Sequence, residues 1–129
     1  MSRRTILIID EAADHRDILC RLLRATGYHV VEAAPGPELL TDAPILDPDL
    51  ILLDLTVPGY TGWDTARQLR SHSRLSDIPI VGATLFTTLW SQAGVQAVGC
   101  NDCFDKPFDL DLVLNRIRTL LPEPSSLVA

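Results

Sequence analysis

Two short apolar runs, Ile6-Leu7-Ile8-Ile9 and Leu50-Ile51-Leu52-Leu53, each break off at an aspartate, Asp10 and Asp54. Neither run alternates with polar residues. A strand reads this way when helices cover both faces of its sheet, which is the situation in a parallel sheet. A third run, Ile78 to Thr84, ends in a hydroxyl, and weaker strand patterns span Tyr28 to Ala33 and Cys103 to Asp105.

Helical spacing fills the intervals. Asp14 to Thr26 places Ile18, Leu19, Leu22 and Leu23 on an apolar face with Arg16, Arg21 and Arg24 opposite, and Gly27 follows as a C-cap. Pro37 opens a short helix to Asp42, ahead of the turn residues Asp47-Pro48-Asp49. Further helices are expected from Trp63 to Ser71 and from Trp90 to Val98, the latter carrying Gly94. The last has the clearest stripe: Leu110, Val113, Leu114, Ile117, Leu120 and Leu121 align while Asp111, Arg116 and Arg118 face away, and Pro122 and Pro124 stop it. Five strands alternating with five helices imply a doubly wound α/β sandwich, in which ligands sit at the strands' carboxyl ends.

The 129 residues, 47% of them hydrophobic, suffice for one core and not for two ordinary domains. A single domain over residues 1–122 with a short frayed tail over 123–129 is the expectation. A formal charge of −6 disfavours direct nucleic-acid binding, which rests on clustered cations. The apolar run that follows Arg3 and Arg4 stops at Asp10, too short for a signal-peptide core or a membrane span, so a cytoplasmic protein is expected. Cys20, Cys100 and Cys103 are an odd set in a chain that needs no disulfide staples, and are read as reduced thiols.

The predicted topology gathers Asp10, Glu11 and Asp54 at one edge of the sheet. Like charges at such spacing raise one another's pKa, and a hard divalent cation with oxygen ligands holds them ionised together; Mg2+ is the natural candidate. Thr84 ends the fourth strand. Lys106, the only lysine beside ten arginines, follows the fifth, where a compact ammonium can approach a carboxylate and a phosphoryl oxygen together.

The segments Ile6 to Glu11, Leu52-Leu53-Asp54-Leu55-Thr56-Val57-Pro58-Gly59, Pro79 to Thr84 and Asp105-Lys106-Pro107-Phe108 together resemble the response-regulator receiver domains. Each motif alone is weak, whereas their order and spacing cover nearly the whole chain. The resemblance implies a flavodoxin-like sheet of order 2-1-3-4-5 and a stand-alone, chemotaxis-type switch. Asp54 would be the phospho-acceptor, Asp10 and Glu11 the acidic pair, and the Thr56 carbonyl a further metal ligand. Thr84 falls at the switch hydroxyl, Lys106 at the lysine position, and Lys106-Pro107 at a bond that is cis in the family. The partners implied are a sensor histidine kinase or histidine phosphotransfer protein and a downstream protein reading the face after strands four and five, with neither nucleic acid nor membrane. Such a protein catalyses its own modification and is not an enzyme in the ordinary sense.

Three positions depart from the family pattern. Glu11 stands where aspartate is usual; its extra methylene displaces the carboxylate by more than about 1 Å, so it is expected to reach the metal through water, with Glu11→Asp binding Mg2+ more tightly. Cys103 occupies the usual switch-aromatic position, and Phe104 cannot replace it because successive strand residues point to opposite faces. Output is then expected from Leu85, Phe86, Leu89 and Trp90. Leu85 lies beside the switch hydroxyl, either hindering water and small phosphodonors or turning into the core.

Other readings compete. Each carboxylate alone could be a turn or helix cap. Cys100-Asn101-Asp102-Cys103 has the C-x-x-C form of a dithiol redox protein, although it precedes a late strand instead of opening an early helix. A flavodoxin-like cofactor protein needs a phosphate cradle where Asp10 and Glu11 would repel phosphate. A pseudo-receiver that retains the fold as a constitutive interaction module is the nearest rival. His15, His29 and His72 share no ligand spacing and read as surface or edge residues.

Overall fold

A computed structural model describes residues 4–10, 13–33, 37–54, 61–84, 99–105 and 109–121. Strands β1 (Thr5–Ile9), β2 (His29–Ala33), β3 (Leu50–Asp54), β4 (Ile80–Thr84) and β5 (Asp102–Asp105) form one parallel sheet of order β2-β1-β3-β4-β5. The described helices are α1 (Ala13–Thr26), α2 (Pro37–Leu46), α3 (Thr61–Ser71) and α4 (Leu110–Leu120). The helix expected at 90–98 lies outside the described residues.

The unalternated runs are explained by two cores, one on each face. Ile6, Ile8, Leu50, Leu52 and Val81 pack with Leu19, Cys20 and Leu23 of α1 and Val113 and Ile117 of α4. Leu7, Ile9, Ile51, Leu53 and Ile80 pack with Leu39 and Ala43 of α2 and Ala66 and Leu69 of α3. Every residue of β3 is buried. Full burial of a leucine or isoleucine contributes about 1.5–3 kcal/mol, so this central strand is a principal source of stability.

Several local expectations change. Ile18 is 53% exposed, because at 100° per residue it lies nearly opposite the buried face of Leu19, Cys20 and Leu23. The short helix expected to end at Asp42 continues through buried Pro44 to Leu46. It stops at Asp47, which takes a left-handed conformation (φ 51°) that aspartate tolerates better than most side chains, and whose N–H donates to the Pro44 carbonyl at 3.3 Å. Arg116 does not simply face away: its guanidinium pairs with Asp102, tying α4 to the edge strand β5. Gly27 is the C-cap anticipated. At φ 111° it lets its N–H reach the Arg24 carbonyl and the Tyr28 N–H reach the Leu23 carbonyl, both at 3.1 Å.

Candidate functional site

The site forms where β1 and β3 end together. Ile9 pairs with Leu53 in the ladder, so the next residues on these neighbouring strands are Asp10 and Asp54. The Asp10 N–H donates to the Ala33 carbonyl at 3.3 Å, extending the β1–β2 ladder by one step and fixing the start of the following loop. On the other side Asp54 pairs with Ala83; Thr84 then pairs with Asp105, the residue before Lys106. Four strands therefore deliver Asp10, Asp54, Thr84 and Asp105 to one edge.

Asp10 and Asp54 are 3% and 8% exposed, and they share a crevice whose other walls include Ile8, Leu52, Val81, Phe104, Leu19 and Val113. This apolar floor belongs to the α1/α4 face of the sheet. A cation bound between the two carboxylates would offset the repulsion of their like charges. The donor set, carboxylate oxygens from rigid strand ends, suits a hard divalent ion and gives nothing to a soft one.

Of the residues expected here, the structure brings Asp10 and Asp54 together and sets the backbone of Thr84 at the same edge. Glu11, Thr56 and Lys106 lie outside the described residues, as do Leu85, Phe86, Leu89 and Trp90. Among the described residues no group of three His, Cys, Asp or Glu side chains is assembled. The Ala33 carbonyl and the small wall formed by Gly82 and Ala83 were not anticipated. Only the register between strands reveals them.

The register also settles the aromatic position. Cys103 pairs with Gly82 and packs on the α2/α3 core, whereas Phe104 pairs with Ala83 and packs on the opposite core. Phe104 thus lines the acidic crevice and does not stand in for Cys103.

The thiols do not form a reactive dithiol. Burial, with a smaller contribution from neighbouring Cys103, pushes the Cys100 thiol up to about 12, while burial and then Glu32 push Cys20 up to about 11. Redox nucleophiles require the opposite shift. None of the three cysteines is in a disulfide.

Comparison with known proteins gives the same answer as the geometry. Residues 6–118 match the model of the response regulator receiver domain. The chain is 36% identical over 115 residues to the CAI-1 autoinducer sensor kinase/phosphatase CqsS of Vibrio cholerae, covering 88% of this chain and 17% of that protein. It is 35% identical over 116 residues to the DNA-binding dual master transcriptional regulator RpaA of Synechocystis, covering 90% of this chain and 48% of that one. The chain therefore spans half or less of the length of these relatives. Among solved structures, the chemotaxis response regulator CheY4 of Vibrio cholerae superposes with a TM-score of 0.83 at 28% identity, covering 93% of this chain and 100% of that one. The receiver domain of a sensor histidine kinase from Pseudomonas aeruginosa, described with a magnesium ion coordinated in its active site cleft, shares the fold with a TM-score of 0.82 at 22% identity, covering 95% of this chain and 100% of that one. With family model, strand order and paired aspartates in agreement, the chain belongs to the response-regulator receiver family.

Proposed function

We propose that Asp54 is the phospho-acceptor of this receiver and that Asp10, Glu11, Asp54 and the Thr56 carbonyl hold Mg2+. The observation that carries this reading is the burial of Asp10 and Asp54 side by side at the carboxyl edge of the sheet. Membership of the family supports a phospho-acceptor role in two-component signalling. The magnesium described for the Pseudomonas neighbour is a property of that protein, and it agrees with the oxygen donors found here.

An Asp54 carboxylate oxygen attacks the phosphorus of a phosphohistidine on the partner kinase or phosphotransfer protein. The new O–P bond forms as the P–N bond breaks in line, and the imidazole nitrogen keeps the electron pair and takes up a proton. Mg2+, when bound, supplies charge neutralisation to the phosphoryl oxygens. Lys106 adds a second cation from the end of β5, and the strand ends supply positioning. The product is an acyl phosphate that carries about two negative charges near neutral pH, one more than the carboxylate it replaces, together with new acceptor oxygens. Its oxygens attract the Thr84 hydroxyl, drawing the segment after β4 toward the site and changing the surface that a downstream protein reads.

No helix among the described residues is long and apolar enough to cross a membrane. The proposal covers the receiver unit acting as a switch by itself. It is tested by incubating the protein with acetyl phosphate and Mg2+ and measuring intact mass. Addition of one phosphoryl group is expected for the native protein and none for Asp54→Asn. Equal labelling of the variant would remove Asp54 as acceptor, and no labelling of the native protein by either acetyl phosphate or a phosphorylated histidine kinase would favour a constitutive interaction module.

A further inference from the structure

We infer that the groove between β2 and α2 is a docking site for a short cationic peptide segment with an apolar anchor. The groove measures about 450 Å³ and is walled by Val31 and Ala33 of the edge strand β2 and by Leu39, Ile45 and Leu46 of α2. This volume falls in the range of about 300–1,000 Å³ typical of small-ligand sites, so it fits a few side chains and not a folded domain. Its Val31, Ala33 and Leu39 belong to the α2/α3 side of the sheet, opposite the acidic crevice.

The apolar half of the argument concerns α2. This helix buries Leu39 and Ala43 against the sheet, yet Ile45 is 72% exposed, the most exposed large apolar side chain among the described residues. Leu46 beside it is also exposed. Glu38, Asp42, Ile45 and Leu46 recur at helical spacing, so α2 carries a second stripe, acidic at its start and apolar at its end.

Charge then selects the occupant. Among the described residues, the charged ones lining the groove are Glu32, Glu38 and Asp42, with no arginine or lysine. Glu32 already lies 3.8 Å from Arg24, so the attraction rests on Glu38 and Asp42. These two are four residues apart on one helix, where like charges destabilise each other and an intervening cation relieves both. A second copy of this chain would bring carboxylates against carboxylates, and nucleic acid or an anionic lipid surface would be repelled. An arginine or lysine adjoining a leucine-like side chain satisfies both halves of the groove.

The test uses a fluorescein-labelled twelve-residue peptide of alternating arginine and leucine as the probe, titrated into the full chain by anisotropy and by backbone amide NMR. Saturable binding with amide shifts confined to residues 31–33 and 38–46 is expected. Ile45→Asp and Glu38→Lys should each weaken it about tenfold, while Asp111→Lys, an exposed reversal on α4, should change it less than about twofold. Because Ile45 and Glu38 are exposed, both variants should retain the native melting curve, and either one keeps the test valid if the other misfolds. Equal weakening by Asp111→Lys, shifts centred on another face, tighter binding of a glutamate–leucine peptide, or an Ile45-dependent dimer of the chain would each overturn the assignment.

Discussion

At the amino-terminal edge of the sheet, polar groups are tied together by hydrogen bonds from within the chain. Arg70 donates through Nε to the Gly99 carbonyl at 2.8 Å, through Nη1 to the carbonyls of Leu75, Ser76 and Ile78, and through Nη2 to Asn101 Oδ1 at 2.7 Å. Asn101 Oδ1 also accepts the Ile80 N–H at 2.9 Å, so one cation stitches the entrances of β4 and β5. Beside it Asp49 accepts the Thr5 N–H at 2.7 Å and lies 3.6 Å from Arg4. At the carboxyl-terminal edge, Asp10 and Asp54 concentrate charge of one sign in an apolar crevice. The first arrangement is what stability alone selects. The second places two carboxylates side by side, an arrangement that a cation bound between them would stabilise.

The contrast can be broken most visibly at Arg70. Arg70→Ala removes the donor shared by these loops and leaves several partly buried carbonyls to find new partners; a loss of about 2–4 kcal/mol is expected in urea denaturation, with the variant still phosphorylated at temperatures where it remains folded. A loss below about 0.5 kcal/mol would show that the amino edge does not depend on this cation. Gly99 supplies an independent check: a Cβ there would lie 2.6 Å from Arg70 Cγ, in addition to the strain of its φ of 98°, so Gly99→Ala should destabilise the same joint.

At the opposite edge the sign reverses. Asp54→Asn, measured with chelator present, should raise stability by about 1 kcal/mol, since it removes one of two like charges without removing volume. A loss of stability would mean that the pair is held by internal contacts strong enough to offset its repulsion. Asp109 provides a neutral reference between the two edges. As N-cap of α4 it accepts the N–H groups of Asp111 at 3.1 Å and Leu112 at 3.2 Å, and Asp109→Ala should cost about 1 kcal/mol with no change in Mg2+ response.

At neutral pH the smallest effect is that of a buried thiol, which acts only in alkaline solution. The buried Cys100 thiol is pushed up to about 12 from an ordinary value of 9.0, so the folded protein keeps a proton that the unfolded chain loses. Its contribution is complete below about pH 9 and is lost as pH rises toward about 12, and Cys100→Ser should flatten the stability profile in that window. Alkylation of Cys100 at neutral pH should be correspondingly slow, and rapid labelling would contradict its burial.

The paired aspartates and the doubly wound sheet were legible because both follow from the same pattern: apolar runs without alternation demand covered faces, and a carboxylate closing such a run has only the sheet's edge to occupy. What escaped were features set by rotation and register. Ile18 counted among apolar residues at helical spacing, yet its angle around α1 turns it to solvent, and Cys20 takes the buried place. The reach of α2 past Pro44 was hidden because proline ordinarily ends a helix, whereas this one sits within the final turn, where little of the hydrogen-bond ladder remains to be disrupted. The five-partner role of Arg70 left no trace in spacing, since four of its acceptors are backbone carbonyls that any sequence provides. Neither the Ala33 contact with Asp10 nor the opposite facing of Cys103 and Phe104 exists until strands are paired.

The claim that the carboxyl edge is built around a cation is tested most directly by urea denaturation of the native protein, Asp10→Asn and Asp54→Asn, each with and without Mg2+. The native protein should gain stability in proportion to log Mg2+ above its dissociation constant, reaching about 2.7 kcal/mol at one hundred times that concentration, and both variants should gain far less. A native protein whose unfolding midpoint does not respond to Mg2+, or variants that respond as strongly as it does, would contradict the account.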